Sequence, residues 1–196
     1  MFTGIIEAIG TVVAIKHEAS NIHFTIESPL SAALKIDQSV AHNGCCLTVV
    51  QQNETSHVVT AIHETLIKTN LGEWQVGSKL NLERCMTMNG RLDGHMVQGH
   101  VDVTGTCVSI QDEDGSWRYT IAHPDNFITV EKGSISVNGT SLTVVDAQKG
   151  HFSVCIIPYT YEHTNFHALQ VNDAVNLEFD IIGKYVARYL ALQANE

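Results

Sequence analysis

Basic residues are scarce in this chain: 11 Lys and Arg stand against 21 Asp and Glu, giving a formal net charge of −10. That balance excludes a nucleic-acid groove or an anionic membrane surface as the main partner, since both select positive potential. Long apolar runs are missing as well. None approaches the ~20 residues that a membrane helix needs. The opening stretch Met1-Phe-Thr-Gly-Ile-Ile-Glu7 lacks the basic region of a secretory signal and meets an acid early. No Cys-x-x-Cys occurs, and the five cysteines (Cys45, Cys46, Cys85, Cys107, Cys155) fit no disulfide framework. Reduced thiols in a cytoplasmic protein are therefore expected. Phosphate loops, dinucleotide fingerprints and Gly-x-Ser-x-Gly elbows are all absent. His95 and His100, five apart, fall on opposite faces of a strand, so no metal site is expected there.

What is present is a repeat. Asn43-Gly-Cys-Cys-Leu-Thr-Val-Val50 returns as Asn138-Gly-Thr-Ser-Leu-Thr-Val-Val145, an offset of 95 residues. The same offset aligns residues 1–83 with 96–178 without a gap, and roughly a third of the pairs are identical. Gly4 meets Gly99, Pro29 meets Pro124, Asn70 meets Asn165, and Asn81-Leu-Glu83 meets Asn176-Leu-Glu178. Two copies are too few for a solenoid, so each should close on itself.

Each copy reads as short strands separated by Gly, Asn and Pro; in the first they fall near 2–15, 22–27, 39–42, 45–51, 56–62 and 79–84. Six short strands in fewer than about 100 residues suggest a small antiparallel Greek-key barrel, because closure removes exposed edges. The expected fold is all-β: two tandem six-stranded barrels, residues 1–90 and 96–180, followed by a helix at 181–196. In that helix Ile182, Tyr185, Tyr189 and Leu192 form an apolar stripe. It packs either on its own barrel or on other subunits.

Strand alternation puts Cys45, Leu47 and Val49 in the first core and leaves Cys46 and Thr48 on the outer face. Ser141 and Thr143 take those outer positions in the second copy. Small polar residues on a solvent face are ordinary in strands. Here, however, the pattern survived duplication while its neighbours drifted. Other pairs diverged: Ile5 became His100, Asp37 became Lys132, and Cys85 became Asp180. A base, a cation and an acid in one copy alone suggest a binding site that lost its symmetry for catalysis. Asp180, just ahead of the helix, also reads as an N-cap.

Met1-Phe-Thr-Gly-Ile-Ile-Glu, Asn43-Gly-Cys-Cys-Leu-Thr-Val, Gly94-His-Met-Val-Gln-Gly-His-Val-Asp102, Ser141-Leu-Thr-Val and Asp180-Ile-Ile-Gly-Lys-Tyr together resemble riboflavin synthases of the homotrimeric, two-barrel type. The resemblance spans the whole chain. It implies a dismutation of two 6,7-dimethyl-8-ribityllumazine molecules, with no cofactor or metal. It also implies a trimer built through the C-terminal helix, with each active site between the N-terminal barrel of one subunit and the C-terminal barrel of its neighbour. Association with lumazine synthase is a further implication. The catalytic set that the resemblance implies is Phe2, Ser39, Cys46, His100, Ser141 and Asp180, with His100 relaying a proton assisted by Ser141 and Asp180. The implied substrate contacts are grouped by copy. One group is Gly4, Ile5, Ile6, Cys46, Leu47, Thr48, Thr60, Ala61, Ile62, His63, Glu64 and Thr65. The other is Gly99, His100, Val101, Lys132, Ser141, Leu142, Thr143, Cys155, Ile156, Ile157, Pro158, Tyr159 and Thr160. Two rival readings remain at this point: a lumazine- or flavin-binding carrier without chemistry, and a purely structural barrel pair.

Overall fold

A computed structural model describes residues 1–194. The last two residues of the expected helix 181–196 lie outside the described residues. Each copy closes into a six-stranded antiparallel barrel. The first contains β1 (Ala8–Glu18), β2 (Asn21–Glu27), β3 (Ser39–His42), β4 (Cys45–Gln52), β5 (Ser56–Ala61) and β6 (Lys79–Arg84). Around the wall they run β1-β2-β5-β4-β3-β6, and β6 pairs back onto β1. The second contains β7 (Val103–Asp112), β8 (Trp117–Ala122), β9 (Ser134–Val137), β10 (Thr140–Gln148), β11 (His151–Ile156) and β12 (Ala174–Phe179), joined in the same cyclic order. Between the last two strands of each barrel sits one helical segment, α1 (His63–Lys68) or α2 (Pro158–His163). A 3-10 turn follows each, started by Thr69 or Thr164, whose side chain accepts the N–H two residues on.

The two Asn-Gly turns form as their sequence requires. Asn43 and Gly44 have φ of 46° and 78°, and Asn138 and Gly139 have 45° and 81°. Both residues of each pair must be left-handed for a two-residue hairpin to match the twist of its strands. Alternation then fills the cores. Cys45, Leu47 and Val49 point inward with Val12, Phe24, Ile26 and Leu80, while Val144 joins Tyr119, Ile121 and Phe152 in the second barrel. Each large apolar side chain so buried stabilises the barrel by about 1.5–3 kcal/mol.

One expected strand start moves. The first strand begins at Ala8, not near residue 2, and the residues before it leave the wall of their own barrel. Phe2 pairs with Val97 instead, the N–H of each donating to the carbonyl of the other. These arms meet between the barrels.

The joint between barrels is built from six asparagines related by the offset of 95. Asn43 Oδ1 accepts from Asn81 N within the first barrel, and Asn138 Oδ1 accepts from Asn176 N within the second. The remaining amide groups cross over. Asn70 N donates to Asn176 Oδ1, Asn165 N to Asn81 Oδ1, Asn81 Nδ2 to the Asn138 carbonyl, and Asn176 Nδ2 to the Asn43 carbonyl. All six are buried. Amides suit this place because each side chain both donates and accepts, so a pseudo-twofold contact can satisfy itself.

The C-terminal helix α3 (Ile181–Gln193) starts where the N-cap reading put it: Asp180 Oδ1 accepts from Ile182 N at 2.9 Å. Lys184 ties its first turn to Asp102 at 3.0 Å. None of its side chains is buried, and Ile182, Tyr185, Val186, Tyr189, Leu190 and Leu192 are exposed. The alternative in which the stripe packs on its own barrel is thus overturned.

Candidate active site

Two carboxylates aim the arms. Glu83, on β6, accepts from Thr3 N at 2.7 Å, Thr3 Oγ1 at 2.8 Å and Gly4 N at 2.9 Å. Its counterpart Glu178, on β12, accepts from Gln98 N at 2.6 Å, Gly99 N at 2.9 Å and His100 N at 2.8 Å. Burial is the main influence on both and raises their pKa, while the N–H donors work against it. Each arm is therefore anchored to its own barrel by its nitrogens.

Its carbonyl then reaches the other barrel. The Gly4 carbonyl accepts from Ser141 N, and the Gly99 carbonyl accepts from Cys46 N, both at 2.8 Å. Only glycine permits this approach. A Cβ on Gly99 would stand 2.6 Å from Cys46 Cβ and 2.7 Å from Phe2 Cε2. The grouping expected from the sequence is corrected here: Gly4, Ile5 and Ile6 belong with Ser141, and Gly99, His100 and Val101 belong with Cys46. Val101 accordingly packs against the core of the first barrel.

At the Cys46 end, Phe2 is fully buried with Ala41 and Val97, and the sides of Cys46 and Cys85 close over them. Ser39 and Thr48 face each other across β3 and β4. Burial pushes the Cys46 thiol upward, and a hydrogen bond from Ser39 offsets part of that. Cys46 is consequently a neutral thiol at pH 7, suited to hydrogen bonding and not to attack as a thiolate. His100, next in the chain to Gly99, is exposed, its backbone N–H held by Glu178.

At the Ser141 end, the sequence reading missed a residue. His95 is buried, and its Nδ1 lies 2.6 Å from Ser141 Oγ. Desolvation lowers the His95 pKa, and the charge of Asp180 raises it against that trend. Ser141 and His95 therefore form one hydrogen-bonded pair, and the charge of Asp180 acts on the imidazole from the start of α3. Within the chain His100 is not part of it: the expected trio of His100, Ser141 and Asp180 is divided between the two ends. Lys132 sits at the far end of the same strand pair, its N–H donating to the Val144 carbonyl. It adopts a left-handed φ of 63° and is exposed.

A gap runs along β4. Alternate residues of a strand bond to opposite neighbours. Leu47 turns its backbone toward its β3 partner Val40, so Cys46 and Thr48 turn theirs the other way. Cys46 meets Gly99 there, and β5 pairs with β4 from Val49 onward. Thr48 lies between, with its backbone facing the opening. Thr60 and Ala61 continue β5 past this point into Ile62, His63, Glu64 and Thr65 at the start of α1. The second barrel repeats the arrangement with Thr143, then Cys155 and Ile156 of β11 running into Ile157, Pro158, Tyr159 and Thr160. Leu142 is half-buried against its core. Among the described residues, no group of three His, Cys, Asp or Glu side chains is arranged to hold a metal ion.

The lumazine binding domain model matches the chain twice, over residues 3–85 and 98–180. The riboflavin synthase of Actinobacillus pleuropneumoniae is 39% identical over 193 residues, covering 97% of this chain and 90% of that one. The chain belongs to the riboflavin synthase family. The riboflavin synthase of Bacillus subtilis is 38% identical over 199 residues, covering 100% of this chain and 92% of its own. Among solved structures, LumP complexed with 6,7-dimethyl-8-(1'-D-ribityl) lumazine superposes with a TM-score of 0.84 at 23% identity, covering 91% of this chain and 99% of that one. LumP complexed with riboflavin gives 0.85 at 23% identity, covering 91% and 98%. These two likenesses establish a shared fold. The lumazine binding domain is thus matched by each half, and the riboflavin synthase family by the chain as a whole.

Proposed function

We propose that the chain is a transferase that makes riboflavin by dismutation. Two molecules of 6,7-dimethyl-8-ribityllumazine react, and one passes a four-carbon unit to the other. The products are riboflavin and 5-amino-6-ribitylamino-2,4(1H,3H)-pyrimidinedione, with no cofactor taking part. The observation that carries this reading is the pair of equivalent gaps at Thr48 and Thr143, flanked by unlike polar groups. Two identical reactants need two like seats, and donor and acceptor need different chemistry.

In this reading the Cys46 end seats one lumazine, with Ser39 and the neutral thiol orienting it and His100 moving the proton of the 7-methyl group. The Ser141 end seats the other, with His95 and Asp180 polarising the serine and Lys132 facing the ligand. His100 and Ser141 lie at different ends of one chain. They would act together where the first barrel of one subunit faces the second barrel of its neighbour, in a trimer joined through α3. The exposed apolar stripe of that helix supports this assembly. Holding both rings face to face supplies a proximity effect of several kcal/mol, on the order of 7–11 at best. A cytoplasmic setting and docking with lumazine synthase complete the reading.

The test is to add the lumazine alone to the purified protein and follow riboflavin absorbance, with the solution mass measured in parallel. One riboflavin for every two lumazines consumed is expected. Tight lumazine binding with no product would replace this reading with a carrier; a binding-inert protein would replace it with a structural barrel pair.

A further inference from the structure

Of the two arms, the second alone is tied to helix α3. Its backbone is held by three consecutive residues of β12. Gln98, Gly99 and His100 donate to Glu178, Asp102 N donates to the Leu177 carbonyl at 2.9 Å, and Asp102 Oδ2 accepts from Phe179 N at 2.9 Å. Among the described residues the His100 imidazole has no hydrogen-bond partner. Its placement therefore rests on this backbone.

Each arm ends on an acid, Glu7 in the first and Asp102 in the second, related by the offset of 95. Each acid holds a cation, and the two cations come from different places. Arg84 Nε, on β6 of the same barrel, donates to Glu7 Oε2 at 2.6 Å, and the two side chains are 41% and 33% exposed. The counterpart of Arg84 is Phe179, so β12 offers no cation there. Lys184 of α3 takes over, with Nζ 3.0 Å from both Asp102 oxygens. This pair is more enclosed, at 26% and 17%. Removing the lysine would leave a mostly buried Asp102 without its counter-charge, which is the costly way to break an ion pair. The same ammonium reaches Glu178. Burial raises the pKa of that carboxyl, and the charge of Lys184 is among the influences that lower it.

We propose that Lys184 is a positioning residue for His100, and that the seating of α3 reaches the reaction through it. This rests on the reading of His100 as the group that moves the proton. The path runs from the first turn of α3 to Asp102 and Glu178, and from those acids to the backbone on either side of His100. The exposed apolar stripe lies on the same helix, so a neighbour that covers the stripe also fixes Lys184.

Lys184→Met removes the charge and keeps most of the stem. In the full-length protein, amide exchange at residues 98–100 is expected to become about tenfold faster, because local opening of the arm is easier. The kcat is expected to fall about 10-fold to 100-fold with KM little changed, the scale of loss when a reacting group is displaced by a fraction of its size. Lys184→Arg, which keeps the charge, is expected to restore both. Asp102→Asn approaches from the other partner and keeps an acceptor for Phe179 N; it is expected to give the same two changes, and the double variant to be no worse than either single one. Arg84→Met, the matching change at the first arm, is expected to leave exchange at residues 98–100 as in the parent. Parental exchange there in folded Lys184→Met and Asp102→Asn overturns the proposal, as does a loss that arginine does not restore. So does a kcat loss that vanishes as protein concentration is raised, because Lys184 would then serve assembly alone. The exchange measurement needs no turnover. A protein that made no riboflavin would therefore sink the proposed function, while exchange would still decide whether Lys184 holds the arm.

Discussion

His95 Nδ1 stands 2.6 Å from Ser141 Oγ, and the two residues are joined across 46 positions of sequence. The contact brings a buried imidazole to the serine whose N–H is already fixed by the Gly4 carbonyl. Desolvation keeps that imidazole neutral at pH 7, able to accept the serine proton. His95→Gln is expected to lower kcat by about 10²-fold, with KM little changed, because proton handling is lost while the pocket remains. Steady-state riboflavin formation across pH measures this. A kcat equal to that of the parent would reduce His95 to a packing role.

Glu178 gathers three backbone donors from residues 98–100, and one of them belongs to His100. Glu178→Gln keeps the size but turns an N–H₂ toward N–H groups. The expected cost is about 2–3 kcal/mol of stability, together with a fall in activity from a misplaced His100. Thermal unfolding and turnover check the two halves of this statement separately. Glu83→Gln is expected to cost as much stability, and its effect on activity comes through Gly4 and Ser141.

Asn81 is the busiest member of the joint: it binds the Asn138 carbonyl and Asn165 Oδ1, and accepts from Asn165 N. Asn81→Ala leaves those groups buried and unpaired. A loss of about 3 kcal/mol is expected, read as a lowered urea midpoint. An unchanged midpoint would mean that the network orients the barrels without stabilising them.

Inside the first barrel, His42 Nδ1 faces the Val40 carbonyl at 3.0 Å, so it must donate. Its Nε2 then accepts from His57 Nε2 at 2.8 Å, and His57 Nδ1 accepts from Ser31 Oγ at 2.9 Å. The chain of bonds requires both rings neutral. Desolvation, aided for His42 by the neighbouring His57, lowers them from 6.5 to about 3 and about 4 respectively. The unfolded chain therefore binds more protons than the native one below pH 6.5. Stability is expected to be complete above that pH and to fall as the pH drops toward 4. Urea titrations at pH 7.5, 6 and 5 measure the slope. Replacing both rings, as His42→Leu with His57→Leu, should flatten it.

Gly99→Ala tests the reach of the second arm directly. Its φ of 80° and a contact of 2.6 Å to Cys46 Cβ leave no place for a methyl group. Strain of about 1–3 kcal/mol is expected, with loss of the Cys46 N to Gly99 carbonyl bond. Exchange of the Cys46 amide with solvent deuterium reports that bond. Protection as strong as in the parent would show that the arm can yield.

The repeat made much of this molecule readable in advance. Asn43-Gly44 and Asn138-Gly139 fixed the hairpins, and the alternation through Cys45, Leu47 and Val49 fixed which face is core. What an offset of 95 does not contain is partnership between copies. It says that Gly4 corresponds to Gly99, and not that each lies against the other copy's strand. An arm this short fits either barrel equally well by pattern, so the exchange with Ser141 and Cys46 was hidden. His95 was missed for a related reason. Its counterpart would fall before residue 1, so no paired residue marks it as divergent. The joint asparagines were seen to match, yet nothing in the pattern marks Asn70 and Asn165 as joint residues, because their partners lie more than 80 positions away.

The crossed arms have a mechanical outcome. The connector through Gly90, Arg91 and Leu92 is exposed, and a protease would find it readily. Severing it would not release two pieces. Gly4 would still be bonded to Ser141 of the later half and Gly99 to Cys46 of the earlier one, the asparagine joint would hold, and the clipped molecule would travel as one particle until denatured.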